Sequence, residues 1–121
     1  MPNDFKKVED ARRFGRGGIL GFASVLAKQS GASRTSPILR GTFISEVLLG
    51  EKLPKPPKDV PDLPDAEATE HLTMREITEK HVTDPRCAGC HARIDPYGFA
   101  LENFDAIGAW RTRNESGAPV D

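Results

Sequence analysis

Cys87-Ala88-Gly89-Cys90-His91 is the stretch on which the reading of this chain turns. These are the only two cysteines in 121 residues, set three positions apart, and the second is followed at once by histidine. Each part of the pattern has a chemical reason in haem attachment. Two thiols at this spacing can add to the two vinyl groups of one porphyrin and form thioethers. The next residue is then held against the ring, where a neutral imidazole nitrogen can bind iron. The pattern is that of c-type haem attachment. It predicts Cys87 and Cys90 as covalent anchors, His91 as the proximal iron ligand, and one haem c per chain. A structural zinc site competes, but it needs four ligands. Its second pair would come from His71, His81 or a carboxylate, and no second histidine stands at metal-finger spacing. A thioredoxin-type dithiol wants an α/β setting that the chain lacks. A disulfide across two residues leaves His91 unexplained.

Working outward, the composition permits this reading and narrows the others. The hydrophobic fraction is 37%, with ten prolines and eleven glycines, so the core is small and a bound haem would be a large staple. The 17 Lys and Arg nearly cancel 18 Asp and Glu, which leaves no basic footprint for nucleic acid. No apolar run is long enough to span a membrane. The expectation is a single haem c domain over residues 1–121, mainly α, with three to four short helices and long irregular loops. No secretory signal precedes the first polar residues. Haem c chemistry nevertheless implies an exported or periplasmic protein, so the chain is expected to be a fragment of a larger one.

The local signals are as follows. Residues 4–14 are polar and predicted helical, with Phe5, Val8 and Phe14 as apolar points, until Gly15-Arg16-Gly17-Gly18 breaks the pattern. Ile19, Phe22 and Leu26 have helical spacing, and 31–34 is a loop. Ser36-Pro37 starts a helix whose apolar stripe is Leu39, Phe43 and Val47, widened by Ile44 and Leu48 and ended by Gly50. Pro54, Pro56, Pro57, Pro61 and Pro64 make residues 51–65 a proline-rich spacer. Thr73 and Glu76 match a capping box, and Met74, Ile77, Thr78 and His81 share one face of the helix that follows. Asp84-Pro85 should end that helix. Asp95-Pro96-Tyr97-Gly98 reads as a turn, and 99–107 as a short helix closed by Gly108.

With these residues in view, the run from Cys87 to Arg111, CAGCHARIDPYGFALENFDAIGAWR, resembles a signature of the planctomycete-type cytochrome c proteins. Arg16-Gly17-Gly18-Ile19-Leu20, Thr35 to Gly41, Leu48-Leu49-Gly50, Arg75-Glu76 and His81 resemble the same domain, so the likeness covers roughly 12–121. The resemblance implies a haem-bearing domain in a large exported protein with further domains. It implies no substrate. Its partners would be a redox protein or neighbouring domains of the parent chain.

The sixth iron ligand is less well marked. No methionine follows His91, so the arrangement with a methionine downstream of the motif is excluded by counting. The candidates are His81, which the resemblance puts first, and Met74. Each also has an ordinary explanation: methionine as core filler, histidine as a residue suited to the last turn of a helix. Histidine and methionine ligands set different potentials, whereas an open position would admit small molecules. The expected function is therefore electron transfer rather than catalysis by the domain itself. The alternatives are a peroxidase-like haem catalyst or a non-haem metal-binding or structural module.

Other residues attract attention for less. The glycines around Arg16 lack the preceding strand of a dinucleotide loop. Asp95, Glu102, Asn103 and Asp105 lack calcium-loop spacing. Arg16, Arg75, Arg93 and Arg111 are all candidates to meet a haem propionate. Trp110, Phe99 and Phe104 read as haem-packing or core residues.

Overall fold

The computed structural model describes residues 5–56, 58, 59 and 72–120. The fold is mainly helical, and among the described residues the only β pairing is three isolated bridges. The helices are α1 (Ala23–Lys28), α2 (Pro37–Thr42), α3 (Met74–His81) and α4 (Pro85–Phe99). Two short 3₁₀ turns, Ala11–Phe14 and Ile19–Gly21, precede α1. A π-helical segment, Phe43–Leu48, continues α2 directly.

Two glycines decide how the molecule packs. Helices α2 and α4 make the most extensive contact between elements. A Cβ at Gly41 would overlap the Ile94 carbonyl, and one at Gly98 would overlap the backbone of Pro37. The helices therefore meet backbone to backbone, at a distance only glycine allows. Leu26, Ile44, Met74, Ile77, Ile94, Phe99 and Ala118 form the buried apolar set around this crossing.

A buried polar clamp holds the segment after α4. Arg40, 1% exposed, donates to the carbonyls of Leu101 (2.7 Å), Phe104 (2.8 Å) and Asp105 (3.2 Å). Glu102 accepts from Thr35 Oγ1 and from Arg111 Nη2, each at 3.1 Å. Arg111 also donates to Thr35 Oγ1 at 2.6 Å and pairs with Glu115 at 2.8 Å. The clamp stitches the entry of α2 to the chain leaving α4, and so fixes both ends of the crossing.

Several local expectations hold. Ser36 accepts from the Leu39 amide with Pro37 inside the helix start, and Gly50 ends the segment at φ 70°. The capping box forms in both directions, Thr73 Oγ1 accepting from Glu76 N (3.2 Å) and Glu76 Oε2 from Thr73 N (2.8 Å). Met74, Ile77 and Thr78 are the buried face of α3. The loop at 31–34 is closed by Gly31 N donating to Arg34 O at 2.8 Å.

Others are corrected. The predicted helix over 4–14 shrinks to Ala11–Phe14, because Asp10 is left-handed at φ 54° and Phe5, Val8 and Phe14 find nothing to bury against. The Ile19, Phe22, Leu26 stripe buries only Leu26. In α2 the buried face is Pro37, Arg40 and Gly41, continued by Ile44 and Ser45, while Leu39, Val47 and Leu48 are exposed. The glycine contact turned that face inward. Asp84-Pro85 starts α4 rather than merely ending α3, since Asp84 accepts from Arg86 N at 2.9 Å and Pro85 suits the first helical position. The predicted turn at 95–98 is helix as well. Pro96 leaves the carbonyl of Ala92 without its helical donor, on a residue that is exposed to water, while Ile94 and Gly98 are locked onto α2. Residues 100–107 are turns, not helix, because Arg40 takes the carbonyls of Leu101, Phe104 and Asp105.

Candidate haem-attachment cleft

Helix α4 carries the motif in its first two turns. Cys87 and Cys90 are three positions apart, and residues at that spacing are neighbours on a helix surface. Both are free thiols, partly exposed. His91 follows on the buried side, with its side chain 10% exposed. All three face one cleft of about 430 Å³, within the range for small-molecule and cofactor sites.

The walls of that cleft come from three elements. Ile38, Thr42 and Glu46, at successive turns of α2 and the π-helical segment, form one side. Leu53, Pro54, Lys55 and Pro56 form another, so the start of the proline tract lies against the motif. Residues 57 and 60–65 of that tract, and His71, lie outside the described residues. Ile94 and Arg86 of α4 and His81 of α3 complete the lining. The His81 and His91 rings stand edge to face, 5.6 Å between centroids and 62° between planes.

The outer nitrogen of His91 is already engaged. Its Nδ1 lies 2.9 Å and 3.1 Å from the two carboxylate oxygens of Asp95, one helical turn on. An ionised carboxylate only accepts, so Nδ1 donates and Nε2 is left with its lone pair. Burial pushes the Asp95 carboxyl up, and the neighbouring His91 pulls it back down. Burial likewise raises the Cys90 thiol, despite Arg93.

Among the described residues, no group of three or more His, Cys, Asp or Glu side chains is arranged to hold a metal ion. Zinc needs all its donors within about 2.3 Å of a single point. Thioether attachment has no such need, because the two thiols go to different corners of a ring. The donor set therefore fits a covalently held haem better than a closed metal site. It also disposes of calcium: Asp105 accepts from the amides of Ile107 and Ala109, and Glu102 is occupied within the clamp.

The structure separates the two distal candidates. Met74, at the opposite end of α3 from His81, is 7% exposed and lines a separate small pocket with Phe99, Asn114 and Val120. His81 lines the cleft. The candidate arginines separate as well. Arg111 belongs to the clamp, Arg16 donates to the Ile107 carbonyl (2.8 Å), Arg75 lies over the Phe99 ring (4.5 Å) and Arg93 pairs with Glu51 (3.3 Å). The cations that line the cleft are Lys55 and Arg86. Neither was singled out from the sequence, although Arg86 directly precedes Cys87. Of the aromatics, Phe99 is core, whereas Trp110 is 58% exposed and stacks edge-on against Phe104.

Residues 16–114 match the model of a family described as PSCyt3, protein of unknown function (DUF1588). The chain belongs to that family. The PSCyt3 match takes in the clamp up to Arg111, the α2–α4 crossing and the whole cleft. No curated protein and no solved structure shows significant similarity to the chain. The PSCyt3 description assigns no activity, so the chemistry rests on the cleft itself.

Proposed function

We propose that the chain is a c-type haem electron-transfer module of a larger exported redox protein. The observation that carries this reading is the meeting of Cys87, Cys90, His91 and His81 in one cleft, with His91 oriented through Nδ1. A haem bound there supplies one-electron transfer between ferrous and ferric iron. Cys87 and Cys90 would hold the haem through thioether links, and His91 and His81 would offer imidazole nitrogens to its iron. Ile38, Leu53, Pro54 and Ile94 would supply the apolar contacts to the ring. Lys55 would meet a propionate at the cleft, whereas Arg86 is already held by Asp84 at 2.6 Å. Thioether formation occurs on the exported side of a membrane, which places the module outside the cytoplasm. Its electrons come from, or pass to, a redox protein or a neighbouring domain. No helix among the described residues is long and apolar enough to cross a membrane.

The test is the visible spectrum of protein matured with a haem c assembly system, oxidised and reduced, with and without carbon monoxide. The expected result is a low-spin spectrum insensitive to carbon monoxide in the parent protein and in Met74→Leu. His81→Ala should turn high-spin and bind carbon monoxide. A parent protein that binds carbon monoxide readily would replace electron transfer with the peroxidase-like reading. A spectral change in Met74→Leu with none in His81→Ala would overturn the distal assignment.

A further inference from the structure

The carboxylate behind His91 has no role in simply attaching a haem, yet it sits where it would govern one. Asp95 is one turn along α4, its side chain 15% exposed and that of His91 10% exposed, so the contact is largely dry. Both oxygens are within hydrogen-bonding distance of Nδ1, at 2.9 Å and 3.1 Å. A backbone carbonyl in that place would orient the ring. A carboxylate also makes it more basic, because the Nδ1 proton is drawn towards a full negative charge. A more basic imidazole favours the more positive iron.

We infer that Asp95 is a positioning residue for His91, fixing its tautomer and ring plane and biasing a bound haem towards the ferric state, so that the module works at a lowered reduction potential. The inference rests on the haem reading above. The geometry around the pair supports it. Asp95 is held in register by the helical bonds flanking Pro96, and Ile94 and Gly98 pin this turn to α2. The pair also borders a second groove, with Glu79 and Val82 of α3 on its opposite wall. Glu79 therefore offers a carboxylate in the same groove that makes no bond to the ring.

The experiment is redox titration of the haem-loaded protein and three variants. Loss of an outer partner of a metal-bound histidine typically costs 10–100-fold in metal affinity or activity. The inference requires that loss to fall mainly on the ferric form, so Asp95→Asn should shift the ferric-to-ferrous preference about tenfold towards ferrous, a rise of about 59 mV for one electron. Asp95→Glu, which keeps the charge, should stay close to the parent, and so should Glu79→Gln. If Asp95→Asn retains no haem while Asp95→Glu does, the carboxylate is needed to place His91, which supports the inference. An unshifted Asp95→Asn in a haem-loaded protein overturns it and leaves the haem reading standing. Equal shifts in Asp95→Asn and Glu79→Gln overturn it too, since the effect would then be a general field. Loss of haem from both Asp95 variants reduces the residue to a structural part and overturns it. A parent protein without haem removes both readings together.

Discussion

Consider adding one methyl group at each of two glycines of α4. Gly89 and Gly98 share that helix, and in isolation Gly→Ala should stabilise both by up to about 1 kcal/mol through helix propensity. Their surroundings differ. A Cβ at Gly89 meets nothing within 4 Å, whereas one at Gly98 overlaps the carbonyl oxygen, carbonyl carbon and Cα of Pro37. Those are backbone atoms at the capped start of α2, so no side chain can rotate away and the helix itself must move. Overpacking of this kind costs roughly 1–3 kcal/mol, and a backbone clash belongs at or beyond the upper end. Gly98→Ala should therefore lose about 2 kcal/mol net, while Gly89→Ala gains about 0.5–1 kcal/mol. The gap of roughly 3 kcal/mol corresponds to about 10 °C in Tm for a domain of this size. Chemical and thermal denaturation of the two variants, prepared identically, measure it. Equal effects, or stabilisation by Gly98→Ala, would refute the close α2–α4 crossing and with it the placing of the motif.

Three further outcomes follow from the same geometry. Glu102→Ala leaves Arg40 buried without its carboxylate and Arg111 with Glu115 alone, and removing one partner of a buried ion pair costs about 3–5 kcal/mol; a melting temperature within a degree or two of the parent would show the clamp to be idle. Asp84 is held below the ordinary aspartate range, chiefly by hydrogen bonds from Arg86. A lowered carboxyl stabilises the fold above its unfolded pKa and loses that contribution as pH falls through the folded value, so the protection of the amides at 86–88 against exchange should fall below about pH 3.9. Unchanged protection there down to pH 2 would remove Asp84 as the cap of α4. Finally, Cys90→Ala should mature with at most one thioether, moving the reduced visible band from that of the parent; an unmoved band would mean that Cys90 takes no part in attachment.

How much of this was legible in the sequence depends on the range of the interaction. Caps and turns were readable because Ser36, Thr73 and Gly50 act on residues within four positions of themselves. The mainly helical class was readable for the same reason. The inward face of α2 was not. Apolar spacing favoured Leu39 and Val47, but Gly41 and Gly98 admit a closer approach on another face, and that choice needs both helices at once. The clamp was hidden likewise, since Arg40 and Glu102 are far apart in sequence and each looks like a surface charge until it is buried. Residues 100–107 have helical spacing and fail to form a helix because Arg40 competes for their carbonyls. Cys87, Cys90 and His91 lie within five residues on one helix, so their meeting in one cleft follows from local sequence. Asp95 was read as the start of a turn, although a carboxylate four residues after a candidate ligand histidine on one helix is a signal that could have been used.

The most direct test of the account is the intact mass of the denatured protein after expression through a haem c maturation system, beside a control cytochrome. Thioether links survive denaturation, so the account predicts the chain plus one haem, and the bare chain from a Cys87→Ala, Cys90→Ala double variant. A bare mass from the parent sequence, with the control fully loaded, would contradict it.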